Sequence, residues 1–287
     1  MSEAKLERLK PLLVCPDCRA PLAAAPAEFR CPACRAVFGV HSGVPDLLPP
    51  RRRQALEASL AAFRAPHAAV RGGRLFRALI PPDALFDPGQ RARRTRVQAA
   101  LKQGVVLNLG AKHTSWGEHV INVDVALPDA GGVDVLADLE RLPFADNSID
   151  GMVCSYVLEH VSDARACVDE IIRVLKPGGH LYVTVPFMFP THPDPLDRWR
   201  WTLDGLRYSL RSCEELEAGA CGGPCSTFVA LAPTLAGSVF SNFFLFNTVR
   251  FTLGWLLWPL KYGDVFAARS RKAYMGASAF FFFGRKR

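Results

Sequence analysis

Three short apolar runs stand out in residues 104–160, and each ends in a glycine or a polar residue. They read VVLNLG, INVDV and VDVLAD, and they are rich in valine, leucine and isoleucine. Strands buried on both faces of a parallel sheet give such runs, whereas half-exposed strands alternate between apolar and polar residues. The pattern therefore predicts an open α/β sheet that is covered on both faces.

The polar residues that close these runs indicate where a ligand binds. In an open parallel sheet, ligands lie in the crevice at the carboxyl ends of the strands. Asp124 follows the second run and is placed to accept hydrogen bonds from a ribose diol. Asp138 follows the third run and is placed to accept one from the exocyclic amine of a purine. These positions predict a site for a ligand that contains a nucleoside.

The same segment resembles class I S-adenosylmethionine-dependent methyltransferases of type 11. The resemblance runs from about residue 104 to the end of the chain and rests on ADLERLPFADNSID, LEHV and RVLKPGG, in the family's order and spacing. It implies an α/β, Rossmann-like fold, with Asp124 at the cofactor ribose and Tyr156 at its methionine end. Asp138 and Leu139 would flank the adenine. The predicted cofactor-binding residues are Asn108, Gly110, Asp124, Asp138, Leu139 and Tyr156.

One departure from this family concerns the connection after the first strand. The family usually has an acidic residue and a Gly-x-Gly turn there, followed by a helix that returns to the second strand. This chain has Asn108 and then GAKHTSWGEHV, with nine residues between Gly110 and Val120. A parallel crossover usually takes a dozen or more residues. We therefore expect no ordinary first helix; either another element covers that sheet face or the methionine end of the cofactor is held in an unusual way.

Two Cys-x-x-Cys pairs near the start of the chain predict a metal site. Twelve residues separate the pair Cys15 and Cys18 from the pair Cys31 and Cys34. Four thiolates on two such turns can hold Zn²⁺ in a closed tetrahedral site, which has structural rather than catalytic use. Two redox motifs are the alternative, but two pairs at this spacing favour metal. Residues 1–50 are predicted to form a zinc ribbon, and they resemble ribbons attached to some methyltransferases.

The net charge of +8 on the 287-residue chain comes from one region. Residues 51–103 contain twelve basic and three acidic residues, and two stretches with helical spacing. We predict a basic helical linker there, followed by the methyltransferase domain at 104–287. Such a basic face meets either solvent or an anionic partner, and both remain open. The charged start, SEAKLERLK, is unlike a secretory signal, so a cytoplasmic location is expected.

The candidate catalytic residues lie in the proline-rich stretch FPTHPDPLDRWRWT, after the last parallel strand of the apolar pattern. This stretch resembles the H-x-x-P-x-D-x-x-R-x-T pattern of methyltransferases found among bacterial cell-surface glycan enzymes. His192 is the candidate base, Asp197 its orienting partner and Arg198 an anion-binding group. The alternative is a polar network that folds the loop and caps the next helix at Thr202.

A long apolar stretch precedes the end of the chain. Residues 228–249 carry no charge and are numerous enough to span a bilayer. Polar residues dilute the stretch, however, and AYMGASAFFFFGRKR resembles the family's closing strand, which must return to the sheet. We predict a hydrophobic helical insertion at 225–262 that forms a buried or membrane-facing lid.

These features predict transfer of a methyl group to a hydroxyl or amine of a glycan, lipid-linked or other small-molecule acceptor, with peripheral membrane contact. Two alternatives remain. An RNA methyltransferase, acting on rRNA or tRNA, would use the ribbon and the basic linker. A non-catalytic binding module would have kept the fold and lost the cofactor, as the missing Gly-x-Gly turn suggests.

Overall fold

Residues 3–25, 27–67, 79–112, 114–126, 132–193 and 196–287 are described by the computed structural model of the chain. Within them, the N-terminal segment begins with helix α1 (Glu3–Leu9) and continues as a small antiparallel sheet. Its strands, in spatial and chain order, are β1 (Ala23–Ala25), β2 (Glu28–Arg30), β3 (Val37–His41) and β4 (Val44–Pro45). This is the segment predicted to form the ribbon.

A mixed seven-stranded sheet forms the centre of the described structure. Its strands are β5 (Val106–Leu109), β6 (Ile121–Asp124), β7 (Val135–Leu136), β8 (Ile149–Ser155), β9 (Leu175–Pro186), β10 (Cys213–Cys221) and β11 (Ala279–Lys286). They are ordered β7-β6-β5-β8-β9-β11-β10, and β11 alone runs antiparallel, between β9 and β10. The predicted α/β, Rossmann-like fold is confirmed, as is the return of the last strand to the sheet.

Helices cover both faces of this sheet. They are α2 (Pro50–His67), α3 (Gln90–Ala100), α4 (Ala164–Val174), α5 (Leu203–Ser209), α6 (Pro224–Gly237), α7 (Phe243–Leu257) and α8 (Asp264–Ala267). Short 3-10 turns lie at Lys10–Leu12, Leu139–Arg141, Trp258–Gly263 and Ala273–Gly276. The side chain of Asp163 caps α4 by accepting the Ala166 N–H, and one apolar face of that helix is buried against the sheet. Strand β5 is buried throughout, as its apolar sequence requires.

The short connection between β5 and β6 contains turns and no helix in its described residues, 110–112 and 114–120. Helix α3, from the linker, covers the sheet beside it. Val97 and Leu101 of this region pack with Val106, Val153 and Phe281 of the sheet in one buried cluster. The expected loss of the first helix is therefore confirmed, and another element covers that face.

The N-terminal segment packs directly on the sheet domain. The Val14 N–H donates to the Pro143 carbonyl at 3.0 Å, and Leu13 forms an isolated bridge with Phe144. Leu13, Phe29 and Phe144 belong to the same buried cluster as the strands. The predicted division at residue 50 thus separates two segments that share a core. Part of the predicted linker, residues 68–78, lies outside the described residues.

The apolar insertion folds as a pair of packed helices between β10 and β11. Helices α6 and α7 pack on one another, and Gly237 allows close approach because a Cβ there would lie 2.9 Å from the Phe246 carbonyl. Their bounds, from Pro224 to Leu257, agree with the insertion predicted from the apolar pattern. Among the described residues, every helix is too short or too polar to cross a bilayer.

Candidate functional site

A cavity of about 410 Å³ lies at the carboxyl ends of β5, β6, β7 and β8. It is lined by five of the predicted cofactor-binding residues, which are Gly110, Asp124, Asp138, Leu139 and Tyr156. The topology brings these residues together because parallel strands end at one edge of the sheet. They are spread over 47 positions of the chain, so only the fold makes them neighbours.

Asn108 is the exception among these predicted residues. It is buried, and its amide donates to the Thr114 carbonyl at 3.1 Å and to Asn122 Oδ1 at 3.1 Å. It is absent from the cavity lining. These bonds hold the connection between β5 and β6 in place, and a cofactor contact of this side chain stays a prediction.

Gly110 closes β5 in a conformation that favours glycine. Its φ is +63°, and a Cβ at this position would lie 2.4 Å from Val157 Cγ2. A side chain would therefore collide with the turn that follows β8. Gly110 stands where the family usually has a Gly-x-Gly turn. It brings the backbone close to the end of β8, where Tyr156 lines the cavity.

Asp124 ends β6 as a buried carboxylate. Its Oδ2 accepts the Lys112 N–H at 2.9 Å, and its Oδ1 accepts the N–H groups of Val125 at 2.7 Å and Ala126 at 3.3 Å. These bonds fix its orientation at the cavity wall. A carboxylate has about four acceptor sites, so capacity remains for a donor in the cavity.

Asp138 is held between two elements. Its Oδ1 accepts the Glu140 N–H at 2.9 Å, and its Oδ2 lies 3.1 Å from Nε of Arg52. Burial raises the pKa of this carboxyl. Arg52 belongs to helix α2, which also lines the cavity through Leu56. No signal in the sequence predicts the contact between Arg52 and Asp138, because no local pattern indicates where α2 packs.

The loop after β9 is fastened to the turn after β8. The Arg198 N–H donates to the Glu159 carbonyl at 2.7 Å, and its guanidinium donates to the His160 carbonyl at 2.9 Å. Trp199 Nε1 donates to the Val161 carbonyl at 3.0 Å. These bonds bring the predicted catalytic loop to the cavity, where Arg198 is part of the wall.

Within this loop, Asp197 organises its neighbours. Its Oδ2 accepts the His192 N–H at 2.9 Å and lies 3.3 Å from Nδ1 of that imidazole, while Arg200 donates to it at 2.7 Å. Burial opposes ionisation, but the hydrogen bonds from Arg200 and the His192 N–H prevail and lower the pKa of Asp197 to about 2. The Thr202 hydroxyl caps α5 by accepting the Gly205 N–H at 3.1 Å. The loop thus has both the His–Asp contact and the alternative polar network.

A second cavity, of about 240 Å³, lies under the helical insertion. Its walls come from residues 80–84, residues 189–192, and α6 and α7, with Arg250 as a charged member. His192 lines this cavity, whereas His160 lines the first one. The two imidazole centroids are 5.4 Å apart, so two side chains connect the walls of the two cavities.

The four predicted thiol ligands form a separate cluster. Their Sγ atoms all lie within 4.8 Å of one another, with Cys15 and Cys34 at 3.6 Å and Cys18 and Cys31 at 3.4 Å. The Cys34 N–H points at Cys31 Sγ at 3.5 Å. Sulfurs about 2.3 Å from one tetrahedral zinc would be roughly 3.8 Å apart, so the spacing fits that ion.

Comparisons with known proteins centre on the segment that holds the first cavity. Residues 109–183 match the family model described as "Methyltransferase domain". The chain is 44% identical over 68 residues to "Uncharacterized protein YafE" of Escherichia coli (strain K12), covering 24% of this chain and 32% of that protein. It is 48% identical over 59 residues to "Demethylmenaquinone methyltransferase" of Corynebacterium glutamicum (strain R), covering 21% and 25%. The alignments thus span about a third or less of these relatives.

Among solved structures, the 1,6-didemethyltoxoflavin-N1-methyltransferase of Burkholderia thailandensis is similar with a TM-score of 0.42 and 13% identity, over 91% of this chain and 99% of that one. The geranyl diphosphate C-methyltransferase of Streptomyces coelicolor A3(2) also has a TM-score of 0.42, at 11% identity, over 69% and 76%. The family match, together with the sheet order and the ligand edge described above, confirms the resemblance to class I S-adenosylmethionine-dependent methyltransferases, and residues 109–183 are the part of the chain that the family model covers.

Proposed function

We propose that this chain transfers a methyl group from S-adenosylmethionine to a hydroxyl or amine of a partly apolar acceptor. The observation that carries this proposal is the cavity at the strand ends, with Asp124 and Asp138 on its wall. The bound cofactor supplies an electrophilic methyl group on a sulfonium. The contribution of the chain is to hold donor and acceptor in line.

The residues of the first cavity fit this cofactor. Asp124 keeps acceptor capacity for ribose hydroxyls, and Asp138 is an acceptor for the adenine amino group. Leu139 and Val161 offer apolar surface to the adenine ring, and Tyr156 borders the side on which the methionine would lie. The carboxylates are positioned by backbone N–H groups before any ligand binds, which reduces the ordering cost of binding.

The second cavity supports a glycan, lipid-linked or other small-molecule acceptor with an apolar part. Its wall includes apolar residues of α6 and α7, among them Val229 and Phe251. The charged residues in the wall are Asp83 and Arg250, and Arg250 suits an anionic group on the acceptor. The relatives named demethylmenaquinone methyltransferase are, by that name, enzymes of an apolar quinone precursor. We infer peripheral membrane contact as well, since α7 exposes Phe243, Phe244 and Leu256.

RNA as acceptor has less support. Several arginines of the predicted basic linker are used inside the molecule, in pairs with acidic side chains. The pairs are Arg52 with Glu140, Arg53 with Asp46, Arg93 with Asp87, and Arg96 with Glu217. Charges that are neutralised in this way contribute little to phosphate binding.

We also propose that the cluster of Cys15, Cys18, Cys31 and Cys34 binds one structural Zn²⁺. The sulfur spacing and the N–H group directed at Cys31 support this, because such groups stabilise metal-bound thiolates.

Calorimetry with S-adenosylhomocysteine tests the cofactor site without knowledge of the acceptor. The wild type should bind it, and Asp124→Ala should bind it about 10–100-fold more weakly, since a hydrogen bond to a charged group contributes about 1.5–3 kcal/mol. Asp138→Ala should weaken it less, because one bond to the adenine is lost. Asp124→Ala should also lower the melting temperature, because three backbone N–H groups lose their acceptor.

Asp169→Ala is the matched control, because Asp169 is an exposed aspartate on α4, away from the cavity. It should leave both affinity and melting temperature unchanged. If the wild type neither releases heat nor gains thermal stability with this ligand, the binding-module interpretation replaces the enzyme.

A further inference from the structure

Three side chains of metal-ligand type converge where the two cavities approach each other. They are Glu159 and His160, in the turn after β8, and His192, in the loop after β9. One ligand atom of each lies within 4.8 Å of the others. From Glu159 Oε1, the distance is 3.8 Å to His160 Nε2 and 3.6 Å to His192 Nε2.

Glu159 is the first sign that something binds here. Its side chain is 0% exposed, and among the described residues neither carboxylate oxygen has a hydrogen-bond partner. A buried carboxylate without a partner is strongly unfavourable, so native proteins pair it with a cation, hydrogen bonds or a metal. Both imidazoles lie within 4 Å of this carboxylate, but beyond the distance of a good hydrogen bond.

The orientation of the two imidazoles is the second sign. Nδ1 of His160 lies 2.6 Å from the Leu196 carbonyl, and Nδ1 of His192 lies 3.1 Å from the Pro190 carbonyl. A carbonyl only accepts, so each Nδ1 carries a proton, and in the neutral ring Nε2 is left with its lone pair. Both lone pairs are then directed towards the same buried carboxylate. Metal-binding histidines are held in this way, with one ring nitrogen donating to a backbone carbonyl.

The surroundings keep this arrangement in place. The Glu159 and His160 carbonyls accept hydrogen bonds from Arg198, and Asp197 holds the His192 backbone. Ligands about 2.1 Å from a shared ion would be roughly 3.0–3.4 Å apart, slightly less than the distances above. Small side-chain rotations would therefore bring all three atoms onto one ion.

We propose that Glu159, His160 and His192 bind one divalent transition-metal ion between the first cavity, proposed for the cofactor, and the second cavity, proposed for the acceptor. Two imidazoles and one carboxylate are a ligand set that suits such ions and leaves coordination positions open. We further assign one of these open positions to a hydroxyl oxygen of the acceptor, and this assignment rests on the proposed methyltransferase function. His192 then acts as a ligand instead of the general base predicted from the sequence, and Asp197 acts by positioning it.

The chemistry of this arrangement balances without another reactant. An acceptor hydroxyl coordinated by the ion loses its proton to solvent water more easily, because a metal ion lowers the pKa of a bound O–H group. Its oxygen forms a bond to the methyl carbon while the bond from that carbon to sulfur breaks. The products are a methyl ether, S-adenosylhomocysteine and the proton released to water.

Metal binding is tested directly, with full-length protein whose cysteine cluster is already loaded with Zn²⁺. Titration with Mn²⁺, and separately with Co²⁺, should show one further site per chain by calorimetry. In pulsed electron paramagnetic resonance, bound Mn²⁺ should show coupling to imidazole nitrogen. His192→Ala should weaken binding at least about tenfold and reduce the nitrogen coupling, since one ligand of three is lost. His41→Ala, at an exposed histidine of β3, is the matched control and should change neither.

His192 is suited to this test because its side chain is one-third exposed, so its truncation should leave the fold intact by circular dichroism. Absence of a further site for both ions in the wild type overturns the proposal, as does unchanged binding in His192→Ala. S-adenosylhomocysteine binding is measured on the same samples. If the protein binds S-adenosylhomocysteine but has no further metal site, the metal proposal is refuted and the methyltransferase proposal stands. If it has the metal site but does not bind S-adenosylhomocysteine, the methyltransferase proposal is refuted and the metal proposal stands.

Discussion

At the scale of single residues, Glu170 shows how one buried charge joins distant parts of the chain. It is 6% exposed and accepts hydrogen bonds from Arg19 of the ribbon at 2.7 Å, from Arg173 of its own helix at 2.8 Å and from the Leu142 N–H at 2.9 Å. Burial opposes its ionisation, but the bonds from Arg173 and Arg19 prevail and lower its pKa below 4.5. The carboxylate therefore stabilises the folded state wherever it is ionised.

Glu170→Gln should lower the free energy of unfolding at pH 7 by about 2–4 kcal/mol. This is somewhat less than for a fully buried pair, because Arg19 is half exposed. The folded-state pKa is depressed, so this stability is present above the unfolded-state value of 4.5 and is lost as the pH falls through the folded-state value. Urea denaturation of both proteins at pH 7 and below pH 4 should show the difference shrinking at acid pH. A difference that is equal at both pH values would contradict this account.

At the scale of elements, the ribbon and the sheet domain depend on one another. Strands β1 to β4 have two to five residues each, which is too little to bury a core of their own. Their apolar side chains instead enter the main core, with Phe29 and Phe38 in the same buried cluster as the residues of the central strands. A zinc ion held by the four cysteines, as proposed above, would fix the two turns beside these strands.

Cys31→Ser should remove the one Zn²⁺ that the wild type is expected to bind, as measured by elemental analysis. The sequence alone suggests that residues 104–287 would stay folded after this loss. The shared core instead predicts that the main unfolding transition also moves to lower temperature, by calorimetry. Cys225→Ser, at a thiol outside the cluster, should keep the metal. A wild type without zinc, or a variant with its zinc intact, would refute the ribbon site.

At the scale of the whole molecule, apolar surface is concentrated on the helical insertion. Phe244 is 79% exposed and Leu256 is 70% exposed, both on α7, while other residues of α6 and α7 line the second cavity. An acceptor attached to a lipid could therefore reach the cavity from a membrane that contacts these helices. Arginines of the linker that are not used internally would add attraction to anionic headgroups.

The protein should co-sediment with anionic liposomes at moderate salt, and replacing Phe243 and Phe244 with serine should reduce this. Apolar docking survives salt, whereas the electrostatic part decays as salt screens it. Tyr208→Ser removes an aromatic side chain that is 69% exposed on α5 and should have no effect. Tight binding to structured RNA that falls by about 10³–10⁵ between low and moderate salt, without liposome binding, would favour the RNA alternative.

The sequence by itself determined the fold and several of the polar residues that line the first cavity. Apolar runs report burial residue by residue, and the ligand edge of a parallel sheet follows from the strand ends, so Gly110, Asp124 and Asp138 could be predicted before their distances were known. The Cys-x-x-Cys pairs could be recognised in the same way, because each pair lies within four consecutive residues. The absence of an ordinary first helix, which the described residues of the β5–β6 connection bear out, could be predicted from the short length of that connection.

Only the tertiary structure decided which side chains meet across long separations. Arg52 reaches Asp138 over 86 positions, and His192 reaches Glu159 over 33, through loops whose path no local pattern encodes. The bonds that the Asn108 side chain makes across the β5–β6 connection could not be predicted, because a strand position does not reveal what its side chain bonds to. In the sequence, LEHV served only as a family signature. In the structure, hydrogen bonds to the Glu159 and His160 carbonyls hold the loop of His192 beside these two residues. The three side chains form a candidate metal site only in this arrangement, because ligand geometry depends on the orientation of the side chains as well as on their chemistry.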